Sequence, residues 1–363
     1  MSALSLVSIN KKCPNSHMAV KDFNLNIEEK EFVVLAGPAE CGKSLIVRML
    51  AGLEEPTSGE IYIDGVLVNG KEPKDRHVAM IFQNYTLYPN MNVYENIAFA
   101  LKMENIPQEE VDRRVRETAE TMKITQILNK RPESLDQCQE LQVVVARAIV
   151  RQPKVLLMDD PLVKISDQWK DFILEKMNVL YNGLNIPFIY ATQDQGRAMA
   201  MGTKIVVLNE GSVQQSGTPK ELYDQPANQF VARFIGDIRM NMAAAQVEEV
   251  NGKVILSFDG HKLTLDERAA LALQENVGKS VYLGVRAQDI CLADKQQENV
   301  IEVQTELYEE RENGIVIQFK VDDAMWTALD TEGKTARTGD IARLAINMNK
   351  IHIFAADTGK SII

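Results

Sequence analysis

Gly37-Pro38-Ala39-Glu40-Cys41-Gly42-Lys43-Ser44 fits G-x-x-x-x-G-K-[ST], a spacing suited to phosphate chemistry. Backbone N–H groups of such a loop, with a helix N-terminus behind them, can surround phosphate oxygens. Lys43 would neutralise the outer phosphates, and the Ser44 hydroxyl would ligate Mg²⁺. Further along, Leu156-Leu157-Met158-Asp159-Asp160-Pro161 is an apolar run ending in two carboxylates. There Asp159 would hold Mg²⁺ through water and Asp160 would contact an attacking water.

These residues need a rigid frame. Glu31–Ala36 reads as a buried strand running into the loop, and Ser44–Leu50 as the opening of a helix. Further short apolar runs, at His77–Phe82, Lys154–Asp159, Pro187–Thr192 and Lys204–Asn209, suit strands buried on both faces of a parallel sheet. Helical patterns separate them: Gln108–Leu128, with Val111, Val115, Ala119 and Met122 on one face, then Gln139–Val150 and Pro219–Ile235. Alternating strands and helices around a phosphate loop specify an α/β core. After about Gly236 the texture changes to short, often alternating segments: Lys253–Phe258, Val281–Arg286, Gly314–Val321, Ile341–Ile346 and Ile351–Phe354. Turn signals such as Asn251-Gly252, Asp259-Gly260, Glu312-Asn313-Gly314 and Glu332-Gly333 separate them. That pattern predicts a small all-β barrel, with a boundary near 236–243.

The 363-residue length suggests two domains, and the net charge of −11 argues against a broad nucleic-acid-binding surface. No apolar stretch reaches the length of a membrane span, and Met1-Ser2-Ala3-Leu4 does not open a signal peptide. The expectation is a cytosolic protein that reaches a membrane only by docking onto another subunit. Cys13, Cys41, Cys138 and Cys291 have no C-x-x-C spacing, and the four histidines are scattered.

Beyond these motifs, Ile81–Pro89, Val93–Phe99, Gly217–Tyr223, Phe230–Gly236, Gly284-Val285-Arg286 and Asn347–Phe354 resemble segments of the ATP-binding subunits of ABC sugar importers. The resemblance covers nearly the whole chain. It implies a P-loop ATPase domain over 1–236, with a helical subdomain at about 84–153, and an OB-like β-barrel regulatory domain over 237–363. It implies ATP and Mg²⁺ as ligands, with Gly37, Gly42, Lys43, Ser44, Gln83 and Asp159 as the phosphate and metal set. Partners would be membrane-spanning subunits docking at Gln83–Pro89 and a second ATPase subunit, as homodimer or heterodimer. No nucleic acid is implied. The location would be the inner face of the cell membrane.

Several positions depart from the family pattern. The signature motif, usually Leu-Ser-Gly-Gly-Gln, is Leu135-Asp136-Gln137-Cys138-Gln139. It would face the partner's γ-phosphate, with Asp136 and Gln139 among its contacts. A carboxylate about 4 Å from a phosphate, at an effective dielectric of about 20, is repelled by about 4 kcal/mol. Asp136 is also a good helix N-cap. The general-base position holds Asp160 in place of Glu, the switch histidine is Gln193, and the dimer-crossing Asp is Ser166. Cys13, in Lys11–Asn15, takes the place of the aromatic that stacks on adenine, while Glu40 replaces a glycine and Leu45 a threonine. The resulting expectation is nucleotide binding retained but weakened, with hydrolysis impaired, in carbohydrate uptake. A non-catalytic regulatory or scaffolding subunit is the alternative.

Overall fold

The computed structural model describes all residues except Met1, Asn15, Asn185, Lys295, Gln296, Glu312, Asn313 and 331–337. The turn signals at Glu312-Asn313 and Glu332-Gly333 lie outside the described residues, as does Asn15. The chain forms two compact units, Met1–Pro219 and Lys220–Ile363.

The first unit contains strands β1 (Ser2–Lys12), β2 (Met18–Glu28), β3 (Phe32–Ala36), β4 (Ser58–Ile63), β5 (Val66–Leu67), β6 (Val78–Ile81), β7 (Val155–Asp159), β8 (Phe188–Thr192), β9 (Lys204–Asn209) and β10 (Ser212–Gly217). Its helices are α1 (Lys43–Ala51), α2 (Val93–Met103), α3 (Gln108–Thr121), α4 (Gln137–Ile149), α5 (Asp167–Gly183) and α6 (Gln195–Met201). The central sheet has order β10-β9-β3-β8-β7-β6, parallel except for β10. Every residue of β3 and β8 is buried, as the continuous apolar runs require. The register sets Ala36 level with Thr192, and Asp159 level with Ala191. The C-terminal ends of β3, β7 and β8 therefore lie side by side, where open α/β sheets present their sites.

A second, antiparallel sheet of order β2-β1-β4-β5 has no counterpart in the sequence expectations. Register shifts along β1, between Leu6 and Ile9 and between Ile9 and Lys11, break its period of two. The 108–128 helical pattern also divides. Helix α3 ends at Thr121, Lys123 enters the left-handed region at φ 56°, and a 3₁₀ turn follows at Thr125–Ile127. Ile124, Ile127 and Leu128 remain buried beyond the break, so the apolar spacing outlasts the helix.

The 219–235 pattern divides into α7 (Pro219–Asp224) and α8 (Gln229–Phe234). Pro226 lies between them and has no N–H for a continuous helix. Within the second unit, buried Arg286 ties both helices to the strands that follow: its guanidinium donates to the carbonyls of Tyr223, Ala232 and Ile235. The strands that follow are β11 (Asn241–Val250), β12 (Lys253–Phe258), β13 (His261–Thr264), β14 (Ser280–Val285), β15 (Ile290–Leu292), β16 (Val300–Arg311), β17 (Gly314–Val321), β18 (Ala324–Asp330), β19 (Ile341–Ile346) and β20 (His352–Ala355). They form two five-stranded sheets, β13-β12-β11-β14-β20 and β15-β19-β16-β17-β18. One core draws on both, with Trp326 fully buried beside Phe258 and Phe319.

Candidate functional site

Chain reversal after β3 builds the phosphate loop. Gly42 caps α1 at φ 104°, and a Cβ there would fall 2.6 Å from the Ala19 carbonyl oxygen; only glycine meets both demands. Lys43, the first residue of α1, is 6% exposed. Its Nζ donates to the carbonyls of Gly37 at 2.9 Å and Pro38 at 2.6 Å, and lies 3.4 Å from Cys41 Sγ. The ammonium thus closes the loop around itself. Ser44 Oγ donates to Asp159 Oδ1 at 2.6 Å, joining the loop to the end of β7.

A cleft of about 380 Å³ opens here. Lys43, Ser44, Gln83, Asp159, Asp160 and Gln193 line it, together with Gly42 and Cys13. Gly37 stands behind the lining, offering its carbonyl to Lys43. The replacements Glu40 and Leu45 line the cleft as well, with Glu40 solvent-exposed at φ 60°. His17, one of the four scattered histidines, shares the lining. The hairpin that holds it is closed by Cys13 N–H donating to the His17 carbonyl at 2.8 Å. The cleft contents are oxygen donors beside a buried ammonium, which suit a phosphate with a hard cation.

Asp160 is 9% exposed and sits in the left-handed region at φ 42°. Its Oδ1 accepts from Tyr190 Oη at 3.1 Å and Thr192 Oγ1 at 3.3 Å, and from Arg197 Nη1 at 3.4 Å. Burial, and then the Asp160 charge, push the Tyr190 phenol up from its ordinary value, so this hydroxyl remains a donor. Tyr190 carried a signal in the sequence: a phenol in an otherwise apolar buried strand needs a partner. Arg197 carried none. Gln193 sits in the turn between Thr192 and Asp194, where Asp194 N–H donates to Thr192 Oγ1 at 3.1 Å.

Asp136 and Gln139 are not among the cleft residues. They form a reciprocal capping box at the start of α4: Gln139 N–H donates to Asp136 Oδ1 at 2.8 Å, and Asp136 N–H to Gln139 Oε1 at 3.4 Å. Ser166 N–H donates to Gln137 Oε1 at 3.3 Å, linking the loop after Asp160 to the same helix end.

Residues 82–89 run over α2 and α4. Fully buried Asn96 holds them, accepting from Tyr88 N–H at 2.8 Å and donating to the Tyr88 carbonyl at 3.2 Å. Phe82 and Tyr88 remain 44% and 40% exposed beside a groove of about 390 Å³. A larger cleft of about 840 Å³ lies in the second unit, among Arg268, Arg286, Asp289 and Lys350. It has no glycine loop and mixes both charge signs.

No cluster of three His, Cys, Asp or Glu suited to a metal occurs among the described residues. Among those residues, no helix is long and apolar enough to cross a membrane.

Comparison with known proteins agrees with this geometry. Residues 20–163 match the family described as ABC transporter, and residues 239–290 match the MalK OB fold domain. The chain is 40% identical over 355 residues to the trehalose/maltose import ATP-binding protein MalK of Thermococcus litoralis, covering 95% of each. It is 37% identical over 364 residues to the oligosaccharides import ATP-binding protein MsmX of Bacillus subtilis, covering 99% of each. Among solved structures, it is similar to cbiO1 of Clostridium perfringens, part of the ABC transporter complex cbiONQ. The TM-score is 0.58 at 25% identity, over 62% of this chain and 91% of that one. It is also similar to an ATP-binding cassette seen as a dimer in a post-hydrolysis state with ADP and Pi, with a TM-score of 0.52 at 27% identity, over 59% and 98%. The chain belongs to the ABC transporter ATP-binding proteins of the sugar-importer type, with a P-loop ATPase fold followed by a MalK-type OB fold.

Proposed function

We propose that this chain is an ATP-binding subunit of an ABC importer that couples ATP binding to carbohydrate uptake and hydrolyses ATP weakly. The observation that carries the reading is the Lys43–Ser44–Asp159 cradle, set in a chain similar over nearly its full length to import ATP-binding proteins. Lys43 would meet the outer phosphates. Ser44 and Asp159, with Gln83 nearby, would hold Mg²⁺ together with phosphate oxygens, as that ion prefers. The metal would offset charge on the terminal phosphate. Cys13 and His17 line the same cleft; there they would meet the base, and neither supplies the stacking area of a Tyr or Trp.

Weak hydrolysis follows from the other half of the site. Asp160 is short and hydrogen-bonded inward, and Gln193 can donate a hydrogen bond but carries no proton near neutral pH. Asp136 would turn a carboxylate toward the γ-phosphate of a partner subunit's site. In a homodimer both composite sites would carry both kinds of defect. With an intact partner, each site would carry one. The exposed Phe82 and Tyr88 beside their groove support docking of a membrane-spanning subunit at Gln83–Pro89. That docking would hold the chain at the inner face of the membrane.

Titration calorimetry with Mg-ATP tests the reading. Saturable binding is expected, weakened when Mg²⁺ is chelated. No detectable binding would favour the scaffolding subunit instead.

A further inference from the structure

Arg197 is 5% exposed and occupies the first turn of α6, whose start is capped by Asp194. Its Nη1 lies 3.4 Å from Asp160 Oδ1. Its Nε lies 3.0 Å from Asp194 Oδ2 but finds no aligned hydrogen-bond acceptor. A guanidinium this buried is tolerated only with a counter-charge, because its desolvation is otherwise uncompensated. Asp160 and Asp194 supply that charge between them, and of the two only Asp160 accepts an aligned hydrogen bond from a guanidinium nitrogen. The approach comes from the protein side: Asp160 lines the cleft, whereas Arg197 does not. Tyr190 and Thr192 donate to the same oxygen, so three donors converge on Oδ1, more than its two lone pairs can fully serve.

We infer that Arg197 is a positioning residue whose buried ion pair commits Asp160 to structure instead of to proton transfer, and fastens the 192–194 turn to the end of β7. This inference rests on the reading of the 380 Å³ cleft as an ATP site. The ties form a closed circuit. Asp160 N–H donates to the Ala191 carbonyl at 2.9 Å, Thr192 bridges Asp160 and Asp194, and Arg197 N–H donates to Asp194 Oδ1 at 3.0 Å. Gln193, between Thr192 and Asp194, is thereby held relative to Asp159, which precedes Asp160 in β7. A chain built this way keeps its phosphate-facing parts in place while its one candidate base is occupied elsewhere.

A stability cycle with Asp160→Asn, Arg197→Gln and the double variant tests the pairing in the full-length protein. Each single change is expected to lower the melting temperature by at least about 5 °C, because Asp160→Asn leaves the buried guanidinium with Asp194 alone and Arg197→Gln leaves the buried Asp160 carboxylate without its cation. The double variant is expected to recover at least half of that loss. If Asp160→Asn does not fold, folding of the double variant is the same evidence. Additive losses would overturn the pairing. The chemical half is read from Asp160→Glu in single-turnover assays. Lengthening the carboxylate is expected to raise the rate about 10-fold or more only when Arg197→Gln is also present. An equal gain with Arg197 in place, or no gain in either background, would overturn it. Failure of the wild-type chain to bind ATP would remove the nucleotide reading and leave the stability cycle standing.

Discussion

The phosphate loop and the β8–α6 turn face the same cleft and use their buried ions in opposite ways. At the loop, Lys43 is held by carbonyl oxygens of its own backbone, partners it can exchange for phosphate without leaving any charge unpaired. At the end of β7, Asp160 is held by an arginine that it shares with Asp194, so moving it away leaves that buried guanidinium with one carboxylate in place of two. The difference teaches that sharing a cleft does not make residues equally available for chemistry. The cradle end can respond to a ligand, and the reactive end is committed before one arrives.

The largest effect should come from the cradle. Lys43→Ala removes the only charge at the loop poised to pair with phosphate, and charge-assisted hydrogen bonds are the strong ones. ATP affinity measured by calorimetry is expected to fall about 10²–10³-fold, as for loss of one partner of a buried charge pair. A fall of less than about threefold would remove the contrast between the two ends. Next is the signature segment, which on the proposed reading would face a partner subunit's site. Asp136→Ser keeps an N-cap residue on α4 and deletes the carboxylate. Steady-state turnover of the dimer is expected to rise about 10-fold, part of the repulsion being screened. No rise would locate the defect wholly at Asp160 and Gln193.

The smallest effect at the site should come from acid, which acts on the second unit. Burial, then the nearby Arg286 charge, lower His352 to about 4 from 6.5; Lys350 adds to this and Asp224 opposes it. The folded state therefore favours neutral imidazole. Stability from this group is complete above the unfolded value and is lost as pH falls from 6.5 toward 4, amounting to about 3 kcal/mol. Asp289, raised by burial, acts in the opposite direction over the acid end of that window. The chain has two tryptophans, and Trp326 is fully buried in the second unit. In a Trp169→Phe background, its fluorescence is expected to report acid unfolding that His352→Asn shifts to lower pH. An unshifted transition would assign the lability elsewhere.

Much of the cradle was legible in the sequence, because eight residues in one stretch carry both the spacing and the chemistry of phosphate binding. Strands β3, β7 and β8 were legible as well, being continuous apolar runs with no period to confuse. The bulged strands β1 and β2 were not, since their register shifts erase the alternation that marks a half-buried strand. The break at Pro226 could have been read from proline alone. Arg197 could not: α6 has seven residues, too few for an amphipathic period to place a charged side chain inside. Its partner Asp160 was singled out in the sequence, yet its neighbours come from β8 and α6, which only the folded sheet brings to it. Gln193 was found through the family resemblance, as the residue in place of the switch histidine, and what holds it became visible only with Thr192 and Asp194.

The central claim is that ATP is bound but scarcely hydrolysed. Single-turnover assay of the full-length chain, in excess over Mg-ATP and followed by phosphate release, tests it most directly. The account predicts ATP saturably bound and converted at least about 100-fold more slowly than by a relative with Glu and His at the Asp160 and Gln193 positions. Conversion at the relative's rate, abolished by Lys43→Ala, would contradict it.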